Sequence, residues 1–319
     1  MTVTQQTGIF LEQLRDCLMT EDNDKPTLII YGDCQASYMH PRVASIAAVS
    51  DRYHVEYASI IQVWDKDAPP ALPDIPVERM QNCEIVWYQV GPEEWPEPPS
   101  GYLGHIPANA KYVRFPSFYF SAPWFANSPD PMMDAKAPAH PTFPYQDRFL
   151  VQIASTGVAV SEGYEVYEEL VRRNVGALSR VLEREVQLLA RRDANCDVPM
   201  TGYIFSNFVR RRLFWNPTNP TNALCEELVR RLISATWPSD SRAGQVFDGV
   251  ERQAFSQEDS HHFQRHIISR PIAEALGLSW WREDYKYWTR VLDVELTSRD
   301  YVERYVAARR QLATADTRW

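Results

Sequence analysis

The sequence predicts an α/β protein, a three-layer sandwich around a mostly parallel sheet, with a largely helical second half. Strand-like and helix-like segments alternate over residues 27–31, 35–49, 54–61, 84–90 and 111–115, the rhythm of parallel strands joined by crossover helices. The apolar run ending at Tyr31 breaks at Gly32 and delivers Asp33, Cys34 and Gln35 into a helix-like stretch, at the carboxyl end of a strand where such sheets hold ligands. Further on, Tyr164, Tyr167, Leu170, Val171, Val175, Leu178, Val181, Leu182, Val186 and Leu189 recur at three- and four-residue steps, a helical stripe. The division expected is residues 1–150 for the sheet, the turn at Gly32 and proline-rich loops, and residues 151–319 for a mainly helical region that returns to the site.

Between these halves, sixteen of the 23 prolines fall from Pro69 to Pro144, where fixed φ and missing donors favour extended loops over long regular elements. Those loops carry Phe115, Phe118, Tyr119, Phe120, Trp124 and Phe125; such rings wall a cleft or pack as core beneath the loops. A further helix is expected after residues 219–222, with Glu226 and Glu227 in its first turn and Leu224, Leu228 and Leu232 as its stripe.

Composition narrows the function. At 319 residues, 45% hydrophobic and 24% charged, the chain reads as an ordinary globular protein. Its net charge of -9 opposes nonspecific nucleic-acid binding. No run reaches membrane-spanning length, and no secretory pattern is evident in the first residues. The five cysteines, Cys17, Cys34, Cys83, Cys196 and Cys225, form no CxxC pair and suit reduced thiols, so a cytoplasmic location is expected.

Cys34 is the candidate reactive atom. At the first turn of a helix a thiol faces unpaired backbone N–H groups and the positive end of the dipole, which favour thiolate and supply oxyanion donors. A lone cysteine after a strand is also a common inert core residue. Nucleophilic sulfur needs a base, and a carboxylate to orient that base. The Asp259-x-x-His262 spacing supplies both, with Asp259 one helical turn from the imidazole.

Gly32-Asp33-Cys34 after a strand resembles the Gly-Asp-Ser block of SGNH hydrolases with sulfur in place of oxygen. Asp259 to His262 resembles that superfamily's late Asp-x-x-His block. The strand at 83–91 looks like the one leading to its oxyanion asparagine, but Pro92, Glu93 and Glu94 follow and that asparagine is missing. A closer resemblance is to the WcbI-type polysaccharide biosynthesis acetyltransferases, whose Gly-Asn-Cys-Gln hallmark corresponds to Gly32-Asp33-Cys34-Gln35. The likeness extends to Gln89, to residues 116–125 and to residues 213–222. Asp33 stands for the family's asparagine, and Asn219 for an expected histidine. The resemblance implies acyl transfer, typically acetyl, from coenzyme A to a hydroxyl or amine, with a sugar or small metabolite as acceptor. Cys34 then attacks the thioester or holds the acyl group, His262 moves the proton and Asp259 steadies the imidazole. N–H groups at Cys34 and Gln35, with Gly91 and the Gln89 amide, would face the oxyanion.

The remaining polar groups read as follows. Asp33 caps the turn or acts as a carboxylate beside the thiol, where its charge opposes thiolate. His40 is a reserve base on a different face of the helix. Arg210, Arg211 and Arg212, with Asn219 and Thr221, are candidates for the coenzyme's phosphates, as are Arg172 and Arg173, against a solvated surface role. His262 and His266 are spaced for one helix face, but no third ligand accompanies them and no metal is expected. Trp280 and Trp281 are assigned to packing. The alternatives kept are a thiol-dependent esterase or thioesterase on the same fold, and a non-catalytic carbohydrate- or nucleotide-binding protein.

Overall fold

The computed structural model describes residues 25–60, 75–91, 104–128, 147–238, 264–289 and 294–316. Thr27–Gly32 (β1), Cys34–Ala44 (α1), Ala47–Ser50 (α2), His54–Ser59 (β2), Val77–Gln81 (α3), Cys83–Val90 (β3) and Lys111–Pro116 (β4) come first. The four strands form one sheet in the order β2-β1-β3-β4, with β1 parallel to both β2 and β3. This is the α/β architecture expected from the alternating segments.

The chain divides into two compact units, one of residues 1–89, 93–114 and 232–254, the other of 90–92, 115–231 and 255–319. In the first, β1 is buried at every position, as a strand covered on both faces must be. Its Ile29 and Tyr31 pack with Ala58, Ile60, Met80 and Val86. The expected helix over 35–49 is two helices, because Ser45 and Ile46 interrupt it after Pro41.

The second unit holds Arg148–Ala154 (α4), Gly163–Asn174 (α5), Leu178–Asp193 (α6) and Thr201–Asn207 (α7). The expected helical stretch is there, but a 3-10 turn over Val175–Ala177 splits it, and in α6 Val186 is exposed while Glu185 is buried. Asn222–Thr236 (α8) begins at Asn222 itself, so Glu226 and Glu227 lie beyond its first turn rather than in it as expected, while Leu224, Leu228 and Leu232 are buried along it. Its last turn belongs to the first unit, where Trp87 Nε1 donates to Thr236 Oγ1 at 2.9 Å and Lys111 Nζ donates to the carbonyls of Ala235 and Thr236 at 2.9 and 2.6 Å. A cation on terminal carbonyls satisfies acceptors that the helix itself leaves open.

Arg270–Leu276 (α9) and Ser298–Asp316 (α10) flank an antiparallel sheet of Gln264–Arg265 (β5), Tyr287–Thr289 (β6) and Val294–Leu296 (β7) that periodicity did not predict. Strands of two and three residues are too short to show a period of two. The unit's core gathers Leu150, Ile153, Tyr287, Tyr301, Val302, Tyr305 and Val306. Arg310 donates to the carbonyls of Ile153, Ala154, Thr156 and Val158, closing the end of α4.

At the other end of α4, Asp147 is the N-cap: Oδ1 accepts from Phe149 N–H at 2.7 Å, and Oδ2 accepts from the Tyr167 hydroxyl at 3.0 Å. Burial pushes its carboxyl up to about 6, against the opposing hydrogen bonds. A carboxyl raised in the folded state contributes stability that is full below the ordinary aspartate range and is lost as pH rises through about 6. Asn caps equally well, so Asp147→Asn is expected to flatten this part of the profile. Thermal unfolding of both proteins from pH 4 to 7 checks it, with a differential on the order of 2 kcal/mol.

Candidate functional site

β1 ends at Gly32 and the chain turns straight into α1. Asp33 is the N-cap, with extended backbone and Oδ1 accepting from Gln35 N–H at 2.7 Å, which pairs one of the donors that open a helix. Gln89, wholly buried on β3, braces the turn from the adjacent strand. Its Oε1 accepts from Asp33 N–H at 2.8 Å and its Nε2 donates to Gln35 Oε1 at 3.1 Å. The amide fits only because residue 32 has no side chain. A Cβ there would collide with Gln89 Oε1 and lie 2.8 Å from Gln89 Cβ and 2.7 Å from Ala36 Cβ.

Cys34, half-buried, is the first residue of α1. Its sulfur is hydrogen-bonded by the backbone N–H groups of Cys34 and Gln35 and by the side chain of Tyr38, one turn along. These donors favour the thiolate but lose: burial first, then the Asp33 carboxylate, push the thiol up to about 12. The expected helix-terminal thiolate is therefore corrected to a neutral thiol at physiological pH, because desolvation and a like charge outweigh the dipole. Gln35 N–H, expected as an oxyanion donor, is also engaged by Asp33 Oδ1.

Tyr57 is the residue the sequence reading missed. From β2 its hydroxyl donates to the carbonyls of Asp33 at 3.1 Å and Gly32 at 3.3 Å, and it hydrogen-bonds with Ser59 and Ser37. Burial, chiefly, raises its phenol. Ser37 Oγ in turn donates to Cys34 O at 2.7 Å. The strand pairing, not the sequence, reveals it. In a parallel pair with β1, Ser59 stands opposite Gly32 and Tyr57 opposite Ile30, so alternate residues of β2 lead to the turn. The Nε2 of His40 lies 3.0 Å from Val55 O and so donates to it, while the ring stands 6.3 Å from that of Tyr57.

Asp259 and His262 lie outside the described residues. Gly91, half-buried, directly follows β3. In the second unit Arg210 and Arg211 are exposed beyond α7. Arg212 instead sits 4.3, 5.3 and 4.7 Å from the rings of Trp215, Trp280 and Tyr285 and donates to Phe214 O and His266 O, which commits it to packing. Asn219 and Thr221 belong to a loop organised by the fully buried Asn216, whose Oδ1 accepts from Thr218 N–H, Thr218 Oγ1 and Asn219 N–H. Thr221 Oγ1 donates to Arg212 O. Arg172 and Arg173 both pair with Glu169 on the exposed face of α5.

His266 is not on a helix, as a shared helix face with His262 would require; it follows β5, ringed by Trp124, Tyr287 and Tyr301. Among the described residues no group of three or more His, Cys, Asp and Glu could hold a metal ion, and no helix is long and apolar enough to cross a membrane. Trp280 and Trp281 anchor their loop through Nε1, donating to Phe208 O and Ile268 O.

The family described as polysaccharide biosynthesis enzyme WcbI matches residues 27–239, a span that contains the Gly32 turn, Gln89 and the Asn216 loop. The chain belongs to the WcbI family. A solved WcbI structure is similar over 93% of this chain and 97% of its own, with a TM-score of 0.68 and 16% identity. It is described as a novel polysaccharide biosynthesis enzyme, the native protein without a disulfide bond between coenzyme A and a cysteine. No curated protein matches the chain. In this WcbI-family chain Asp33 caps the helix and at the same time places a charge beside the sulfur.

Proposed function

We propose that the protein transfers an acyl group, acetyl or another short chain, from coenzyme A to a hydroxyl or amine of a sugar or small metabolite, with Cys34 as the acyl-carrying sulfur. The observation that carries this reading is the placement of the Cys34 sulfur at the start of α1, where the N–H groups of Cys34 and Gln35 and the side chain of Tyr38 surround it. Membership of the WcbI family supports a role in polysaccharide biosynthesis, and the similar structure's description names coenzyme A together with a cysteine, there without a disulfide bond between them.

Because Cys34 is held as a thiol, attack requires a base to take its proton as the carbon–sulfur bond forms. His262, oriented by Asp259, is the proposed base. Sulfur adds to the thioester carbonyl, coenzyme A leaves as its thiolate and takes the proton back from the imidazolium. The acceptor hydroxyl then attacks the acyl-cysteine and gives up its proton to the same base, which returns it to the Cys34 sulfur. Gln89 holds the turn rather than the substrate, since Oε1 and one Nε2 hydrogen are committed to Asp33 and Gln35.

Acetyl-CoA incubated with sugar acceptors tests this through release of free coenzyme A thiol. Cys34→Ala is expected to reduce release on the order of 100-fold or more. Release into water without an acceptor would instead indicate a thioesterase, and binding without release a non-catalytic protein. Full turnover in Cys34→Ala would overturn the nucleophile.

A further inference from the structure

The Tyr57 hydroxyl has one proton and two carbonyls within reach, Asp33 O at 3.1 Å and Gly32 O at 3.3 Å. Gly32 O already accepts from Ile60 N–H at 2.9 Å, where the chain leaves the pairing of β1 with β2. The shorter contact carries most of the bond, so Asp33 O accepts twice, from Tyr57 and from Ser37 N–H at 3.1 Å in the first turn of α1. Burial, chiefly, raises the phenol, so the hydroxyl keeps its proton and remains a donor at physiological pH.

The Asp33 carbonyl and the Cys34 N–H are two ends of one peptide plane. That peptide is trans, so the N–H points opposite to the carbonyl. A hydroxyl that holds the carbonyl from β2 therefore fixes where the Cys34 N–H is aimed. By drawing electron density onto the oxygen, it also makes that N–H a stronger donor. The N–H groups on either side are engaged, that of Asp33 by Gln89 Oε1 at 2.8 Å and that of Gln35 by Asp33 Oδ1 at 2.7 Å. The Cys34 N–H faces its own sulfur, and so stands beside whatever carbon that sulfur attacks.

We infer that Tyr57 is a positioning residue: through the Asp33 carbonyl it aims and polarises the Cys34 N–H, which donates to the thioester oxygen as sulfur adds to the carbonyl carbon. Its service in acyl transfer rests on the reading proposed above; the coupling between residues 57 and 34 does not. Tyr57→Phe keeps the ring and removes only the hydroxyl, and two reactions of the same sulfur then separate its role. Acyl transfer builds charge on a carbonyl oxygen and uses the N–H, whereas alkylation by iodoacetamide displaces iodide from a saturated carbon and uses the sulfur alone. In Tyr57→Phe, kcat for coenzyme A release from acetyl-CoA is expected to fall roughly tenfold with KM changed by less than about twofold. Alkylation of Cys34 is expected to stay within about twofold of the wild-type rate. In heteronuclear NMR of the full chain, the Cys34 amide proton is expected to move upfield, while that of Gln35, held by Asp33 Oδ1, stays in place. Equal losses in both reactions would place the effect on the sulfur and overturn the inference, as would unchanged release, a change confined to KM, or an unmoved Cys34 amide. A wild type that never releases coenzyme A, with the Cys34 amide displaced in Tyr57→Phe, would leave the coupling standing and remove the transfer reading.

Discussion

Gly32→Ala is expected to cost about 2–4 kcal/mol of stability and to remove activity, from one added methyl group. The new Cβ would occupy the space of the Gln89 amide and press on Ala36 at 2.7 Å. Gln89 cannot withdraw cheaply, since its side chain is wholly buried and pairs with both Asp33 N–H and Gln35 Oε1. Moving it leaves buried polar groups unpaired and frees the start of α1, where Cys34 sits. Urea unfolding measures the loss. Gly202→Ala is the control, because nothing lies within 4 Å of a Cβ there; in the helix α7 it is expected to stabilise by about 0.5–1 kcal/mol. Equal effects at the two glycines would contradict the close-approach argument.

Asp33→Asn is expected to make Cys34 more reactive while leaving the fold intact. Asn keeps the oxygen that accepts from Gln35 N–H and caps a helix as well as Asp. It removes the charge that, after burial, holds the thiol up near 12. Loss of one nearby like charge lowers a thiol by roughly one pKa unit, so alkylation of Cys34 at pH 8 is expected to rise roughly tenfold. In the wild type the rate should keep climbing through pH 9 and 10 without a plateau, since the thiolate forms only towards 12. Peptide mapping after iodoacetamide separates Cys34 from Cys83, which burial also raises, to about 11. An unchanged rate in Asp33→Asn would show that the carboxylate does not govern the sulfur.

The parts of this site legible in the sequence were those encoded by neighbours along the chain. An apolar run, a glycine and a capping residue specify β1, the turn and α1 locally, so Gly32, Asp33, Cys34 and Gln35 could be read as one unit. Gln89 was found through its strand and its family likeness, but its bracing role depends on β3 lying beside β1. Tyr57 escaped because its partners are the backbone carbonyls of Gly32 and Asp33, which no residue pattern advertises. The thiolate expectation failed for a related reason. The helix dipole is implied by sequence, whereas the burial that outweighs it is set by packing. Similarly, the arginine run 210–212 reads as one basic spot, yet packing puts two of its members in solvent and cages Arg212 among three rings.

The central claim is that the sulfur of Cys34 carries the acyl group between coenzyme A and its acceptor. The most direct measurement is the mass of the protein quenched in acid seconds after mixing with acetyl-CoA, followed by mapping of the modified peptide. An acetyl increment on the peptide containing Cys34, lost again when a competent acceptor is added and absent from Cys34→Ala, is the predicted result. Coenzyme A release at full rate with no acetyl ever found on that peptide, and undiminished in Cys34→Ala, would contradict it.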